Sequence, residues 1–134
     1  MKYLLLILGM LFFHLIDDYY LQGWLASAKQ KSWWENNAPD KLYKNDYMCA
    51  LIEHAFSWTC MIHIPVVIFL YLNMSLQKFN SSIIVFLILF VINWVIHAMI
   101  DNMKANRKLI NLCQDQAFHL VQIILTGMFW ICAT

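Results

Sequence analysis

The sequence predicts an all-α fold, a polytopic membrane protein in which four transmembrane helices form a bundle. Hydrophobic residues make up 62% of the 134 residues and charged residues only 13%, whereas soluble domains carry about 25% charged residues. A soluble domain of this length could not bury so much apolar surface. In addition, four apolar stretches approach the roughly 20 residues that a helix needs to cross the hydrocarbon.

The predicted spans divide a single transmembrane domain, residues 1–134, into four helices. They cover about residues 3–21, 47–72, 82–101 and 110–133. The opening MKYLLLILGMLFF resembles a signal peptide, but Asp17 and Asp18 follow it, unlike an ordinary cleavage region, so we interpret it as a span. Pro65 lies inside the second span, where neighbouring helices must accommodate a kink.

Basic residues predict the orientation of the chain. The connections at residues 26–46 and 102–109 contain seven lysines and arginines, whereas the opposite side has two, Lys2 and Lys78. The positive-inside rule therefore places both connections in the cytoplasm. We expect a bacterial-type inner membrane with both termini outside, and Trp33 and Trp34 as anchors at the interface.

Composition excludes several other classes of protein. The net charge is +1, and no basic stripe is present, which argues against nucleic acid as a partner. The four cysteines have no CxxC spacing, which argues against a disulfide framework or a thiolate zinc site. The expected partners are membrane lipid and a lipid-linked substrate, and a homodimer is left open.

Histidines and aspartates recur at helical spacing within the spans. Two histidines precede an aspartate by four residues, one aspartate precedes a histidine by four, and a further histidine lies in the second span. With 1.5 Å of rise per residue, all of them fall at a similar depth, near the two basic connections. The predicted metal ligands are His14, Asp18, His54, His97, Asp101, Asp115 and His119.

A metal ion is the simplest partner for these groups. One His/Asp pair alone would more commonly be a capped helix end or an interhelical hydrogen bond, but three pairs at one depth favour a shared site. Buried carboxylates need a cation, and Lys104 is the only lysine or arginine that the sequence places near them. We expect a divalent metal, zinc first and manganese or iron as alternatives, with one or two ions.

Other polar residues of the spans receive different predictions. Asp18, Asp101 and Glu53 are the catalytic candidates, although Glu53 fits a ligand or a surface charge equally well. We expect His63 to be a core histidine and Asp17 to support the ligands or lie at the interface. Gln22 and Gln116 are candidate donors that orient the ligands.

A weak internal repeat accompanies this pattern. Residues 14–18 (HLIDD) resemble 97–101 (HAMID), and 50–54 (ALIEH) resemble 115–119 (DQAFH). The repeat suggests two similar helical hairpins whose inner faces meet at one centre.

The segments HLIDDYYLQ (14–22), HAMIDNMK (97–104) and DQAFH (115–119), together with His54, resemble the signature of a bacterial and phage membrane family, domain of unknown function 3307. The resemblance spans nearly the whole chain. Tyr19 stands where the family has Phe, and the connection after the first span is longer. The helical His/Asp pattern is also similar to that of inner-membrane proteins regarded as metal-dependent hydrolases, an analogy that does not establish chemistry.

Three functions fit these observations. The first is a membrane-embedded, metal-dependent hydrolase that acts on a lipid or a lipid-linked phosphate or ester near the cytoplasmic face. The second is a transporter or channel for a metal ion or proton. The third is a non-catalytic membrane partner or exclusion protein with a structural metal.

Overall fold

The computed structural model describes residues 1–134, and all of its regular structure is helical. Helix α1 (Lys2–Ile16) continues into a π-helical turn, Asp17–Leu21. The short helices α2 (Leu25–Ala28) and α3 (Lys31–Asn37) and a 3₁₀ turn (Lys41–Tyr43) follow. The long helices α4 (Asp46–Asn73), α5 (Leu76–Ala105) and α6 (Leu112–Ala133) complete the chain.

Four helical stretches are long and apolar enough to cross a membrane: Lys2–Leu21, Lys41–Asn73, Leu76–Ala105 and Leu112–Ala133. The prediction of an all-α fold with four long apolar helices is therefore confirmed, and each helix overlaps its predicted span.

The largest difference in the bounds is the start of α5, which lies six residues before the predicted start at residue 82. It begins there because the Ser75 side chain accepts a hydrogen bond from the Lys78 amide and caps the first turn. Asn111 and Gln114 form a capping box at the start of α6.

The long helices pack as a closed bundle in which α1 contacts α4 and α6, and α5 contacts the same two helices. We call the end that carries the connections 22–45 and 106–111 the basic end. Towards the opposite end the interior has an apolar core of Leu6, Met10, Trp58, Ile62, Val66, Phe69, Leu70, Ile123 and Trp130. Five polar residues are also buried in this part of the bundle: Thr59, His63, Asn93, Gln122 and Thr126. The outer faces are also apolar, with exposed side chains such as Leu4, Leu8, Ile84 and Leu125. This distribution suits a protein whose surroundings are lipid.

Pro65 lies inside α4, which continues through it as one helix. The neighbour that accommodates the ring is Gly9 of α1, where an added Cβ would lie 3.1 Å from the Pro65 Cβ. The glycine allows the two helix backbones to approach closely at this level.

The connection between α1 and α4 folds back against the basic end of the bundle. Asn106 at the end of α5 holds this connection in place. Its side-chain Nδ2 donates to the Lys29 carbonyl at 3.1 Å, and its Oδ1 accepts from the Lys31 backbone amide at 2.7 Å. Ala28 is fully buried there. The connection therefore covers the basic end and directs the Lys29 side chain into the bundle.

Candidate metal centre

Near the basic end, the four long helices bury a cluster of imidazoles and carboxylates. Its members are His14, Asp17 and Asp18 from the first span, His54 from α4, His97 and Asp101 from α5, and Asp115 and His119 from α6. The four histidines are at most 1% exposed. The structure thus brings all seven predicted ligands into one neighbourhood.

Asp18, His54 and His97 form the first group that can hold a metal ion. The His54 Nε2 atom lies 3.4 Å from Asp18 Oδ1 and 3.4 Å from His97 Nε2. Ligands bound to zinc at about 2.0–2.1 Å in a tetrahedron are about 3.3–3.4 Å from one another. These separations therefore match the edges of a tetrahedral site.

His97, Asp101 and His119 form the second group. The His119 Nε2 atom lies 3.4 Å from Asp101 Oδ1 and 3.5 Å from Asp115 Oδ1. His97 Nε2 lies 3.8 Å from the same Asp101 oxygen. Asp101 also reaches the first group, because its Oδ2 atom is 3.3 Å from His54 Nε2.

A chain of hydrogen bonds fixes the orientation of two of the carboxylates. Trp58 Nε1 donates to His14 Nδ1 at 2.7 Å, so His14 Nε2 carries the proton and donates to Gln116 Oε1 at 3.1 Å. The Gln116 amide then donates to Asp18 Oδ2 and Asp115 Oδ2, at 3.2 Å each. Each aspartate is left with its other oxygen, Oδ1, buried and without a hydrogen-bond partner.

These hydrogen bonds give His14 a different role from that of the other predicted ligands. Both of its ring nitrogens are engaged, one by Trp58 and one by Gln116, and it belongs to neither group that can hold an ion. In this arrangement His14 orients Gln116, and through it the aspartates. Gln116 is a donor to two of the predicted ligands, as the sequence suggested.

Two lysines enter the cluster, whereas the sequence placed only Lys104 near it. Lys104 Nζ lies 2.7 Å from Asp115 Oδ2. Lys29, in the connection after α1, is 7% exposed, and its Nζ lies 2.5 Å from Asp101 Oδ2. The expectation that Lys104 is the only nearby cation is therefore wrong, because the folded-back connection delivers Lys29.

The lysines reduce the charge of the cluster without cancelling it. Four aspartates face two lysines, which leaves a formal charge of −2 when the histidines are neutral. A divalent ion would balance this charge, and an unbalanced charge in a low-dielectric interior is costly. The cluster therefore still needs a cation when Lys29 is counted.

Asp17 contacts His54 at Nδ1, the ring nitrogen opposite the candidate ligand atom Nε2. Its Oδ1 atom accepts a hydrogen bond from Ser57 at 2.7 Å, and its Oδ2 atom lies 3.7 Å from His54 Nδ1. The π-helical turn, closed by the Gln22 amide on the Asp17 carbonyl, has more residues per turn than an α-helix. This widening accompanies the burial of Asp17 next to Asp18.

Three other predicted residues lie apart from the ligand groups. Glu53 is exposed on α4, so the structure does not bring it to the cluster. His63 is a buried core residue whose Nδ1 is 2.8 Å from the Thr59 carbonyl. The Gln22 side chain bonds to the Asp18 backbone carbonyl, so it does not orient the carboxylate.

Sequence reasoning missed Lys29, Ser57 and Trp58 as parts of this site. Trp58 follows His54 by four residues and thus shares its helix face, a signal that could have identified it. Lys29 has no such signal, because the sequence shows it as one lysine among four in a polar connection.

A lateral groove of about 410 Å³ lies between α4 and α5. Ala98 and Asn102, which line it, directly follow His97 and Asp101 in the sequence. The groove is otherwise lined mainly by apolar side chains, including Leu51. No residue of the His/Asp cluster lines the groove.

No family model, curated protein or solved structure matches the chain. The resemblance to domain of unknown function 3307 therefore stays a prediction.

Proposed function

We propose that this protein is a membrane-embedded, metal-dependent hydrolase that acts on a lipid or a lipid-linked phosphate or ester. The observation that carries the proposal is the packing of buried Asp and His ligand atoms at 3.3–3.5 Å, two sets of which can hold an ion. Imidazole and carboxylate together suit zinc, with manganese or iron as alternatives.

Hydrolysis accounts for this arrangement better than transport. The interior between the cluster and the end opposite the basic end contains an apolar core that includes Ile62, Val66 and Trp130. A transport path would need a continuous line of polar groups through this region, whereas Asn93, Gln122 and Thr126, which are buried there, are hydrogen-bonded to one another. We place the apolar chain of the substrate in the groove between α4 and α5, which the residues next to His97 and Asp101 in the sequence line.

The residues of the cluster divide the work of such a reaction. A divalent ion held by these residues would supply a water ligand of lowered pKa and would polarise the scissile group. Of the three catalytic candidates, Asp18 and Asp101 lie in the cluster, whereas Glu53 is exposed outside it. Lys104, whose side chain is 33% exposed, is placed to contact an anionic group.

The proposal includes the position of the protein in the cell. The basic end carries seven of the nine lysines and arginines, which supports its placement at the cytoplasmic face of a bacterial-type inner membrane. The substrate would then be processed close to the cytoplasmic surface of the bilayer.

Metal analysis of the purified protein tests the proposal first. After loading with zinc and dialysis, we expect wild-type protein to retain zinc and His97→Ala to lose it. His63→Ala is the matched control, because His63 is equally buried but lies outside both ligand groups. Retention of no zinc by wild type, or equal losses in the two variants, would overturn the assignment.

Activity separates the hydrolase from a structural metal site. Zinc-loaded protein is assayed in mixed micelles with phosphatidic acid and, separately, with a p-nitrophenyl carboxylate ester. We expect release of product from at least one, abolished in His97→Ala. Metal retention without turnover of either class would favour the non-catalytic alternative.

A further inference from the structure

We infer that the centre holds two divalent ions bridged by Asp101, and that its substrate is a phosphate ester. The inference rests on the proposed function and specifies the number of ions and the substrate class. It depends on how the two oxygens of Asp101 divide between His54 of the first ligand group and His119 of the second.

The first half-site consists of Asp18 Oδ1, His54 Nε2 and Asp101 Oδ2. The His54 nitrogen lies 3.4 Å from the Asp18 oxygen and 3.3 Å from the Asp101 oxygen. The second half-site has the same composition: His119 Nε2 lies 3.5 Å from Asp115 Oδ1 and 3.4 Å from Asp101 Oδ1. One carboxylate thus offers one oxygen to each of two sets of the same composition, and its Oδ2 atom also accepts the hydrogen bond from Lys29.

Gln116 orients the second carboxylate of each half-site, Asp18 in one and Asp115 in the other. Its single amide nitrogen donates to Asp18 Oδ2 and to Asp115 Oδ2, both at 3.2 Å. Both Oδ1 atoms are consequently turned towards the two histidine nitrogens, and neither has a hydrogen-bond partner. His119 Nε2 is also buried and unpartnered, so each half-site contains an atom that needs a ligand.

His97 lies between the two half-sites and completes one of them. Its Nε2 is 3.4 Å from His54 Nε2 and 3.8 Å from Asp101 Oδ1. The lone pair of His97 Nε2 can bind only one ion. One half-site would therefore have two imidazole ligands and the other would have one. The half-site with fewer protein ligands keeps more room for water or substrate.

If two ions are bound, the charge of the cluster favours an anionic substrate. The cluster has a formal charge of −2 with neutral histidines, so a single divalent ion would neutralise it. Two ions would leave an excess of about two positive charges, which an anionic ligand must balance. A phosphate ester supplies that charge, and paired ions about 3.5–4 Å apart are suited to phosphoryl chemistry.

Manganese is the probe for the number of ions, since two Mn²⁺ ions that share a carboxylate give an exchange-coupled EPR spectrum. Purified protein in detergent is loaded with Mn²⁺ and desalted, and bound metal is counted by elemental analysis. We expect two ions per chain and a coupled spectrum. Asp115→Asn should retain one ion with an uncoupled spectrum, and His63→Ala should behave as wild type.

The outcomes separate this inference from the proposed function. If wild-type protein binds neither Mn²⁺ nor Zn²⁺, the proposed function itself fails. One uncoupled ion per chain, or two without coupling, would overturn the bridged pair and leave a metal-binding protein. In the mixed-micelle assay, turnover of the carboxylate ester without turnover of the phosphate ester would overturn the substrate class.

Discussion

Replacing Lys29 by methionine tests the electrostatic reasoning behind the metal centre. Lys29 Nζ lies 2.5 Å from Asp101 Oδ2, and the two side chains are only 9% and 3% exposed. Methionine keeps most of the length of the side chain and removes its charge. The formal charge of the cluster without metal would then change from −2 to −3.

The expected loss in the free energy of unfolding depends on whether an ion is bound. Removing one partner of a buried ion pair typically costs about 3–5 kcal/mol, because the other charge stays buried and unpaired. For a chain of this size that loss lowers the melting temperature by roughly 10–20 °C. A divalent ion next to Asp101 would replace the missing charge, so we expect the loss to shrink to about 1 kcal/mol or less when metal is saturating.

Thermal unfolding in detergent, followed by circular dichroism with EDTA and with excess Zn²⁺, measures both values. Lys104→Met is the matched control. The Lys104 side chain is 33% exposed but its partner Asp115 is fully buried, so the loss in EDTA should be smaller than for Lys29→Met, about 1–3 kcal/mol. An unchanged melting temperature for Lys29→Met in EDTA would refute the buried ion pair. A loss that zinc does not reduce would refute the replacement of lysine by metal.

Two further substitutions test the support of the site and the packing of the bundle. Asp17→Asn should weaken zinc affinity by about 10–100-fold, because His54 loses a charged partner. Isothermal titration measures the change, Ser57→Ala should have a smaller effect, and affinity within twofold of wild type would contradict the role of Asp17. Gly9→Ala should destabilise the bundle by about 1–3 kcal/mol, because the rigid Pro65 ring cannot move away. Unchanged thermal unfolding of this variant would show that α1 and α4 can separate freely here.

The sequence predicted the helices and the neighbourhood of the site because both depend on local periodicity. Apolar length determines which segments can span a bilayer, and a spacing of four places His97 and Asp101 on one helix face. Depth along each helix follows from the rise per residue. These quantities need no knowledge of how the helices pack.

The details of the site depend on tertiary contacts, which the sequence does not display. Lys29 reaches Asp101 only because Asn106 holds the connection against the end of α5. The exposure of Glu53 depends on the rotation of α4 that buries its neighbour His54. Such contacts join residues distant in the chain, and no local spacing predicts them.

The weak repeat makes the same point more sharply, because matched positions have different environments. Aligning residues 14–18 with 97–101 pairs His14 with His97. Both histidines are buried and precede an aspartate by four residues. Yet His97 belongs to both groups that can hold an ion, and His14 belongs to neither.

Two departures from the repeat explain this difference. Aligning residues 50–54 with 115–119 pairs Leu51 with Gln116, and the same alignment extended pairs Trp58 with Ile123. The two polar members of these pairs are the residues that engage the two ring nitrogens of His14. The apolar members, Leu51 and Ile123, can offer no hydrogen bond to the matching histidine of α5, whose Nδ1 has no partner. Hydrogen bonds to both ring nitrogens thus make His14 a supporting residue. His97 lacks such partners and is left available as a metal ligand.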